Sequence, residues 1–329
     1  MSTARINRAI LDAAAQTDAV DVVAVASRDG RRARDYATEH GIARAHGDYP
    51  SLLADPDVDA VYIPLPNALH APWTERALNA GKHVLCEKPF SPDPEVTAHC
   101  YTVAAAHGLV LTEAFMWRHL PQTKRLAELV ADGAIGELRL VRATFSFPLL
   151  REVDVRWDAR LQGGSLMDVG CYCVSGLRLL AGEPERVRGE AKAAPSGVDM
   201  RFAGVMRFAG DVLGTFDCGF DLPARSALEA VGSDGSLFVA DPWFGREPAI
   251  VHSRGDGSSE TIAVDCADPY VLELEDLAAA AAARRPPLLG RNDAVGQARV
   301  LSALLDSARN GAEIDVAAPI TTITEMENT

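Results

Sequence analysis

The chain has 329 residues, of which 48% are hydrophobic, and carries a formal net charge of −14 at pH 7. This length supports two ordinary cores, because single domains usually stop growing at about 100 to 200 residues. The negative charge argues against a nucleic-acid surface and against attachment to anionic lipid. No apolar run approaches the roughly 20 residues of a membrane span, and we predict a cytoplasmic protein that acts on small molecules.

The cysteines and histidines do not form a recognisable framework. Six cysteines are spread thinly along the chain, and the eight histidines form no closely spaced ligand pair. This spacing lacks the signatures of a disulfide scaffold and of a zinc site. We therefore predict free cysteines in a reducing compartment and no bound metal.

Residues 20–120 alternate short apolar runs with helical patterns, which is typical of βαβ units and a buried parallel sheet. A helix is predicted first, at 8–16, with no strand before it. Strands are then predicted at 22–26, 60–63, 83–86 and 109–111, and helices at 31–40, 72–80 and 94–107. Gly41, Gly81 and Gly108 follow the three later helices and mark their ends.

After Glu113 the pattern changes to strands in series. One more helix is predicted at 121–132, then strands at 138–147, 205–208, 212–220 and 236–240, and late helices at 273–284 and 294–310. Consecutive strands form antiparallel sheets. We therefore predict a Rossmann dinucleotide-binding domain over residues 1–118, and a substrate-binding and oligomerisation α+β domain with an open, mainly antiparallel sheet over 119–329.

The N-terminal segment departs from the usual dinucleotide-binding pattern. That fold opens with a central strand and a glycine-rich turn, whose main-chain N–H groups bind pyrophosphate. Residues 2–7 lead directly into the first helix, so we expect the chain to begin inside that loop and to lack the first strand. Thr3, Arg5 and Ile6 would then hold phosphate; a frayed terminus is the alternative.

Ser27 and Arg28 follow the strand at 22–26, where an NAD enzyme carries Asp or Glu for the adenosine ribose. Arginine at this position suits the 2′-phosphate of NADP, and Arg32 lies about one helical turn further on. The pattern favours NADP without excluding NAD. A charged turn in contact with water is the alternative interpretation.

Two further motifs stand at the carboxyl ends of strands, the edge where open α/β sheets bind ligands. We expect these residues to lie against the cofactor: Pro64, Leu65, Asn67 and His70 after one strand, and Glu87 and Lys88 after the next. Asn67 also suits a helix cap. Only four of the 32 basic residues are lysines, which favours a specific role for Lys88 over a generic surface position.

Asp168 and Tyr172 are four residues apart and share a face if this segment is helical, while Gly163 and Gly164 let the main chain enter a crowded site. A tyrosine pKa of about 10 is too high for a base at neutral pH, but a nearby lysine cation would lower it. We therefore expect Lys88 and Tyr172 to converge. From spacing alone, a tyrosine packed in the core is the alternative.

At these motifs the sequence resembles the Gfo/Idh/MocA oxidoreductases, the family of glucose-fructose oxidoreductase and inositol dehydrogenase. The resemblance rests on residues 26–29, 62–70, 81–90, 113–119 and 163–172, and it extends over nearly the whole chain. It is strongest to the branch that contains glucose-fructose oxidoreductase, NADP-dependent D-xylose dehydrogenase and dimeric dihydrodiol dehydrogenase, where tyrosine rather than histidine follows the aspartate.

The resemblance implies a Rossmann domain joined to an open sheet that often serves as an oligomer face, hence a homodimer or homotetramer. It implies that Lys88 orients the substrate and tunes the base, that Tyr172 accepts the hydroxyl proton, and that Asp168 positions sugar hydroxyls or the tyrosine. It also implies that Trp117 and Arg156 line the substrate side. The family's glycine fingerprint is absent from residues 2–7.

The resulting hypothesis is an NADP-dependent oxidoreductase. It would transfer a hydride to the nicotinamide from a hydroxyl of an aldose, D-xylose or a glucose-like sugar, or of a cyclic trans-diol. A non-catalytic NAD(P)-binding sensor or regulator is one alternative, since the fold can bind a cofactor without reacting. A redox-assisted glycoside hydrolase on the same fold is another.

Overall fold

Two small parallel sheets occupy the N-terminal part of the protein. The computed structural model describes residues 1–283 and 285–316. The first part contains α1 (Asn7–Ala14), β1 (Ala24–Ala26), α2 (Gly30–His40), β2 (Arg44–His46), α3 (Tyr49–Leu53), β3 (Ala60–Ile63), α4 (His70–Asn79), β4 (His83–Glu87), α5 (Pro94–Ala106) and β5 (Leu111–Ala114). β1 pairs in parallel with β2, and β4 lies between β3 and β5.

The parallel sheet is divided at the place where a Rossmann sheet has its first strand. Among residues 1–283 and 285–316, no strand joins β1 to β3, and residues 1–6 lie outside any strand. The parallel strands therefore form two separate sheets, β1-β2 and β3-β4-β5. The predicted α/β class with parallel strands is confirmed.

Local signals explain most of the helix ends. Asp29 caps α2 by accepting hydrogen bonds from Arg31 N and Arg32 N, and Gly41 ends this helix with a φ of 68°. The sequence missed β2 and α3, because elements of three and five residues are too short to show a period. α4 begins at His70 rather than Pro72, and β5 begins at Leu111 rather than Leu109.

A nine-stranded sheet forms the second part of the protein. Its elements are α6 (Pro121–Ala131), β6 (Leu138–Ser146), α7 (Cys171–Ala181), β7 (Pro184–Ala193), β8 (Asp199–Phe208), β9 (Leu213–Gly219), β10 (Arg225–Gly232), β11 (Gly235–Val239), β12 (Ala249–Arg254), β13 (Ser259–Ala263), α8 (Pro269–Ala283), α9 (Arg291–Asn310) and β14 (Ile314–Asp315). The sequence missed β7, β10, β12, β13 and β14. The predicted helix end at Arg284 lies outside the described residues.

The strand order in this sheet is β13-β12-β11-β10-β6-β9-β8-β7-β14. Every pair in it is antiparallel except β6 with β9, so the expectation of a mainly antiparallel sheet is confirmed. One face packs on α7 and α9 to form the core. The opposite face is open and exposes Val205, Leu213 and Phe238.

The last long helices return to the N-terminal part. α8 packs against α1, with Leu274, Leu277 and Ala280 in one cluster with Ile10 and Ala13. The predicted division of the chain between residues 118 and 119 stays a prediction. None of the helices within the described ranges has the length and apolarity needed to cross a membrane.

Candidate active site

A cavity of about 1130 Å³ opens at the carboxyl ends of β3, β4 and β5. Its opposite wall comes from β6 and from the segment that precedes α7. Strand ends and loops supply most of the lining, which is the position where open α/β sheets bind ligands.

Most of the residues predicted for the site line this one cavity: Arg5, Ile6, Pro64, Leu65, Asn67, His70, Glu87, Lys88, Arg156, Asp168 and Tyr172. Asn67 Nδ2 donates a hydrogen bond to the carbonyl of Gln162 at 2.8 Å. The Tyr62 hydroxyl donates to Glu87 Oε1 at 2.5 Å. These bonds hold the loops after β3 and β4 in place at the cavity wall.

Four residues predicted to bind the cofactor lie elsewhere. Thr3 is not part of the cavity wall, and the structure gives its predicted phosphate contact no support, because the loop before α1 turns Ala4, Arg5 and Ile6 toward the cavity instead. Ser27 and Arg28 follow β1, Arg32 lies in the first turn of α2, and none of the three lines the cavity. Both arginines are exposed, and their positive charges act on the same neighbour, Tyr49.

The prediction for Trp117 is wrong. Its side chain is fully buried and meets the ring of Trp243 edge to face, with centroids 5.1 Å apart. Residues 116–119 form a tight 3₁₀ turn, and this turn directs Met116 to the cavity while Trp117 enters the core of the second part. The neighbouring position, rather than Trp117 itself, contacts the site.

Lys88 and Asp168 form the charged centre of the cavity. Lys88 Nζ donates to the main-chain carbonyl of Asp168 at 2.6 Å and to Asp168 Oδ1 at 3.2 Å. Arg156 Nε donates to the other carboxylate oxygen, Oδ2, at 2.5 Å. Burial works to raise the pKa of Asp168, but Lys88 and Arg156 outweigh it and lower that pKa. Asp168 is therefore a carboxylate shared by two cations.

An unusual turn presents Asp168 to Lys88. Residues Leu166–Gly170 form a wide π-helical turn, and α7 begins only at Cys171. Such turns are frequent at functional sites, and they change which carbonyls stay free of helical hydrogen bonds. The condition that this segment is helical is met by a π turn followed by α7 rather than by one regular helix, and both side chains reach the cavity.

Lys88 and Tyr172 converge as expected, but not through the phenol oxygen. Lys88 Nζ lies 4.9 Å from the centroid of the Tyr172 ring, over its face. The Tyr172 hydroxyl donates to Met116 Sδ at 3.6 Å. The ring centroids of Phe115 and Phe145 each lie 5.4 Å from that of Tyr172, and both rings meet it edge to face. The phenol is therefore enclosed by apolar groups.

The predicted direction of the Tyr172 pKa shift is wrong. Burial raises the pKa of Tyr172 well above 10, and Tyr270 and Glu87 raise it further. The ammonium group of Lys88 does not offset this burial, because it is directed at Asp168 and meets the ring face instead of the hydroxyl. In this structure the phenol is protonated at neutral pH and acts as a hydrogen-bond donor.

Both glycines before the turn are required by close contacts. A Cβ at Gly163 would collide with the carbonyl of Arg156, and one at Gly164 would collide with Asp199 Oδ1. Gly164 also has a φ of 114°, a conformation that side chains rarely adopt. Asp199 Oδ2 in turn accepts hydrogen bonds from Ser165 Oγ at 2.6 Å and Leu166 N at 2.7 Å, and so fixes the start of the π turn.

We expect Gly164→Ala to lower the free energy of unfolding by about 2–4 kcal/mol, because backbone strain and a collision add together. Gly41→Ala is the matched control, since Gly41 is also at positive φ, 68° with a ψ of 24°, but has open space around its Cβ. We expect that variant to lose about 1–2 kcal/mol, the cost of a Cβ in the left-handed helical region. Urea unfolding measures both, and equal losses would contradict the collision at Gly164.

Sequence reasoning missed several cavity residues. Phe145 and Phe244 add aromatic walls, Tyr270 enters from the start of α8, and Arg246 lies over the Phe244 ring at 4.4 Å. The alternation of β6 could have assigned Phe145 to a face. The others come from loops and helix ends of the second part, whose approach to the cavity depends on the tertiary fold.

The comparisons with known proteins agree with this architecture. A family model described as an oxidoreductase family with an NAD-binding Rossmann fold matches residues 3–115, and one described as a GFO/IDH/MocA C-terminal domain matches 123–238. The chain is 39% identical to a D-xylose 1-dehydrogenase (NADP(+)) of Haloferax volcanii over 96% of this chain and 98% of that protein. The chain belongs to the GFO/IDH/MocA oxidoreductase family.

Two further relatives of the family show the range of substrates named. A trans-1,2-dihydrobenzene-1,2-diol dehydrogenase of Oryctolagus cuniculus is 36% identical over 71% of each chain. A 3-ketoreductase from Actinomadura kijaniata, crystallised with NADP and TDP-benzene, has a TM-score of 0.87, 32% identity, and covers 93% of this chain and 95% of its own. The resemblance seen in the sequence is confirmed.

Proposed function

We propose that this family member is an NADP-dependent oxidoreductase that moves a hydride between the nicotinamide and a hydroxyl-bearing carbon of a sugar or cyclic diol. The observation that carries the proposal is the meeting of Lys88, Asp168 and Tyr172 in one cavity with the loops after β3 and β4. The named relatives, a D-xylose dehydrogenase, a dihydrodiol dehydrogenase and a 3-ketoreductase, support it.

The residues present fit NADP at its phosphate end. Arg28 follows β1, Arg32 lies in the first turn of α2, and the positive charges of both act on Tyr49. Guanidinium groups are well suited to binding a 2′-phosphate. Pro64, Leu65 and Asn67 would contact the cofactor further along, with Glu87 beside Lys88. The bound nicotinamide supplies or accepts the hydride.

The proton is handled by the protein. In reduction, the protonated phenol of Tyr172 donates its proton to the carbonyl oxygen of the substrate and is left as a phenolate. In oxidation, the phenol first releases its proton to solvent, and the phenolate then receives the hydroxyl proton of the substrate. Lys88 stabilises the negative charge that develops on the reacting oxygen, and Asp168 holds the ammonium group in position. The aromatic walls around Tyr172 exclude water and pack against the ring of the substrate.

A substrate screen tests the function. We expect purified protein to form NADPH from NADP⁺ with an aldose or a trans-diol, or to consume NADPH with a keto sugar. Tight NADPH binding without turnover of any compound would favour a sensor. Release of nitrophenol from a nitrophenyl glycoside without net NADPH formation would favour a glycoside hydrolase.

We expect Arg28→Ala to weaken NADPH binding by about 10- to 100-fold and to leave NADH binding nearly unchanged, because a charge-assisted hydrogen bond contributes about 1.5–3 kcal/mol. Arg31→Ala is the control: Arg31 lies on the same helix, is exposed and pairs with Asp35 at 3.8 Å. Fluorescence titration measures both dissociation constants. Equal losses for NADPH and NADH would contradict the 2′-phosphate contact.

A homodimer or homotetramer in the cytoplasm remains part of the proposal. The open face of the large sheet, with Val205, Leu213 and Phe238 exposed, supports association through that face, since exposed apolar patches commonly mark interfaces. Light scattering of the purified protein would measure the number of subunits.

A further inference from the structure

The main chain that follows Lys88 leaves the sheet and enters a buried region. β4 ends at Glu87, and Phe90 is only 1% exposed. The carbonyl of Pro89 and the N–H of Phe90 therefore need hydrogen-bond partners outside the sheet, because unpaired buried main-chain groups are costly. Two buried side chains provide these partners.

Glu113 binds this segment from β5. Its Oε1 accepts the hydrogen bond from Phe90 N at 2.8 Å, and the side chain is 1% exposed. The register of the parallel sheet places Glu113 opposite Cys86, two residues before Lys88. Glu113 Oε2 has no hydrogen-bond partner among the described residues. The carboxyl group thus accepts one main-chain hydrogen bond, from Phe90, which lies two residues beyond Lys88.

His70 binds the same segment from the start of α4. Its Nδ1 lies 2.8 Å from the carbonyl oxygen of Pro89, and its Nε2 lies 2.6 Å from that of Leu65. Burial lowers the pKa of His70 to about 4, so the ring is neutral at pH 7 and carries one N–H. This N–H donates to the Pro89 carbonyl in the Nδ1-protonated tautomer, the one in which His70 fixes the segment, and to the Leu65 carbonyl in the other. The ring lies between the two loops that border the cavity.

We propose that Glu113 and His70 are positioning residues that hold Lys88 Nζ against Asp168 by fixing the main chain at residues 89–90. The proposal rests on the role of Lys88 in the proposed function. The two side chains come from different elements and bind adjacent main-chain groups, so that they restrict this segment from both sides. Catalytic groups need such support, since a displacement of about 1 Å costs about 10²-fold in rate.

The charge state of Glu113 determines which substitution preserves its hydrogen bond with Phe90 N. The ionisable groups that face it are Asp293, Arg178, Lys88, Tyr101, Cys86 and Cys171. Burial raises the pKa of Glu113 to about 8, so the side chain is mainly an uncharged acid at pH 7. Glutamine has the same shape, no charge and an oxygen that can accept the bond from Phe90, whereas leucine has no acceptor.

Kinetics of four variants test the proposal. We expect Glu113→Leu and His70→Phe to lower kcat by about 10²-fold, and Glu113→Leu to leave the dissociation constant of NADPH nearly unchanged. Glu113→Gln should keep kcat within about twofold. Lys82→Met is the control, because Lys82 is also buried and also bonds a main-chain carbonyl, that of Asp55 at 2.8 Å, but away from this segment. It should lower stability and preserve kcat.

Lys88 itself can be observed by NMR, because the chain contains only four lysines. Labelling with ¹³Cε-lysine gives four signals, and the one that disappears in Lys88→Met belongs to Lys88. We expect this signal to shift in His70→Phe and Glu113→Leu but not in Glu113→Gln or Lys82→Met.

A folded Glu113→Leu with unchanged kcat and an unchanged Lys88 signal would overturn the proposal, as would equal losses in Glu113→Gln and Glu113→Leu. If Glu113→Leu does not fold, unchanged kcat in His70→Phe has the same meaning. If the unmodified protein turned over no substrate, the proposed function would fail, but the NMR signal of Lys88 would still report on its positioning.

Discussion

Replacing Tyr172 by phenylalanine is expected to lower kcat by about 10²–10⁴-fold, the usual contribution of a positioned acid or base. The ring contacts with Phe115 and Phe145 and the ammonium group of Lys88 over the ring face stay in place, because the substitution removes only the hydroxyl. Binding of NADPH should therefore be nearly unchanged. Steady-state kinetics with the best substrate of the screen, together with fluorescence titration of NADPH, measure the two effects.

Tyr101→Phe is the matched control for this variant. Tyr101 is also buried, its hydroxyl has no hydrogen-bond partner among the described residues, and it lies outside the cavity. We expect Tyr101→Phe to keep full activity. Full activity in Tyr172→Phe would show that another group transfers the proton, and the role assigned to Tyr172 would be wrong.

Asp168→Asn is expected to have the second largest effect. The carboxylate is shared by Lys88 and Arg156 in a largely buried place. The amide would leave Lys88 without its paired carboxylate and Arg156 with Asp154 as its remaining partner. Removing one partner of a buried ion pair typically costs about 3–5 kcal/mol of stability. Solvent reaches part of the Arg156 side chain and reduces this cost, so we expect a loss of about 3 kcal/mol in urea unfolding.

The same variant should lower kcat, because Lys88 Nζ loses its bond to Asp168 Oδ1 and keeps only the one to the main-chain carbonyl. Asp306→Asn is the control. Asp306 pairs with Arg309 on the surface of α9, and an exposed pair of this kind contributes at most about 1 kcal/mol. Similar losses of stability in the two variants would contradict a buried, shared carboxylate at position 168.

The lowered pKa of Asp168 also sets the direction of a pH effect. The folded protein binds a proton at this carboxylate less readily than the unfolded chain, whose aspartates have a pKa of about 3.9. The stabilising contribution is therefore fully present above about pH 4–5 and is lost as the pH falls through the lowered pKa of the folded state. Asp168→Asn should abolish this part of the acid sensitivity, as unfolding measured from pH 7 down to pH 3 would show.

The sequence predicted the parts of the site that depend on local chemistry. Strands followed by polar or proline-containing segments placed Asn67, Glu87 and Lys88 at the carboxyl edge of the parallel sheet, because strand direction determines which end faces a ligand. Gly163 and Gly164, which precede the π turn, indicated that the main chain there passes close to other groups, because glycine has no side chain. These assignments depended on period, turn chemistry and strand polarity, which can be read without knowing the distant contacts.

The tertiary structure decided the orientation and charge of the side chains. Met116 rather than Trp117 reaches the cavity, because the direction of each side chain in a 3₁₀ turn depends on what the turn packs against. The pKa of Tyr172 rises instead of falling, because burial among aromatic rings outweighs an ammonium group that is directed at Asp168. Desolvation and pairing depend on atoms brought together from remote parts of the chain, and residue types and spacing alone do not specify them.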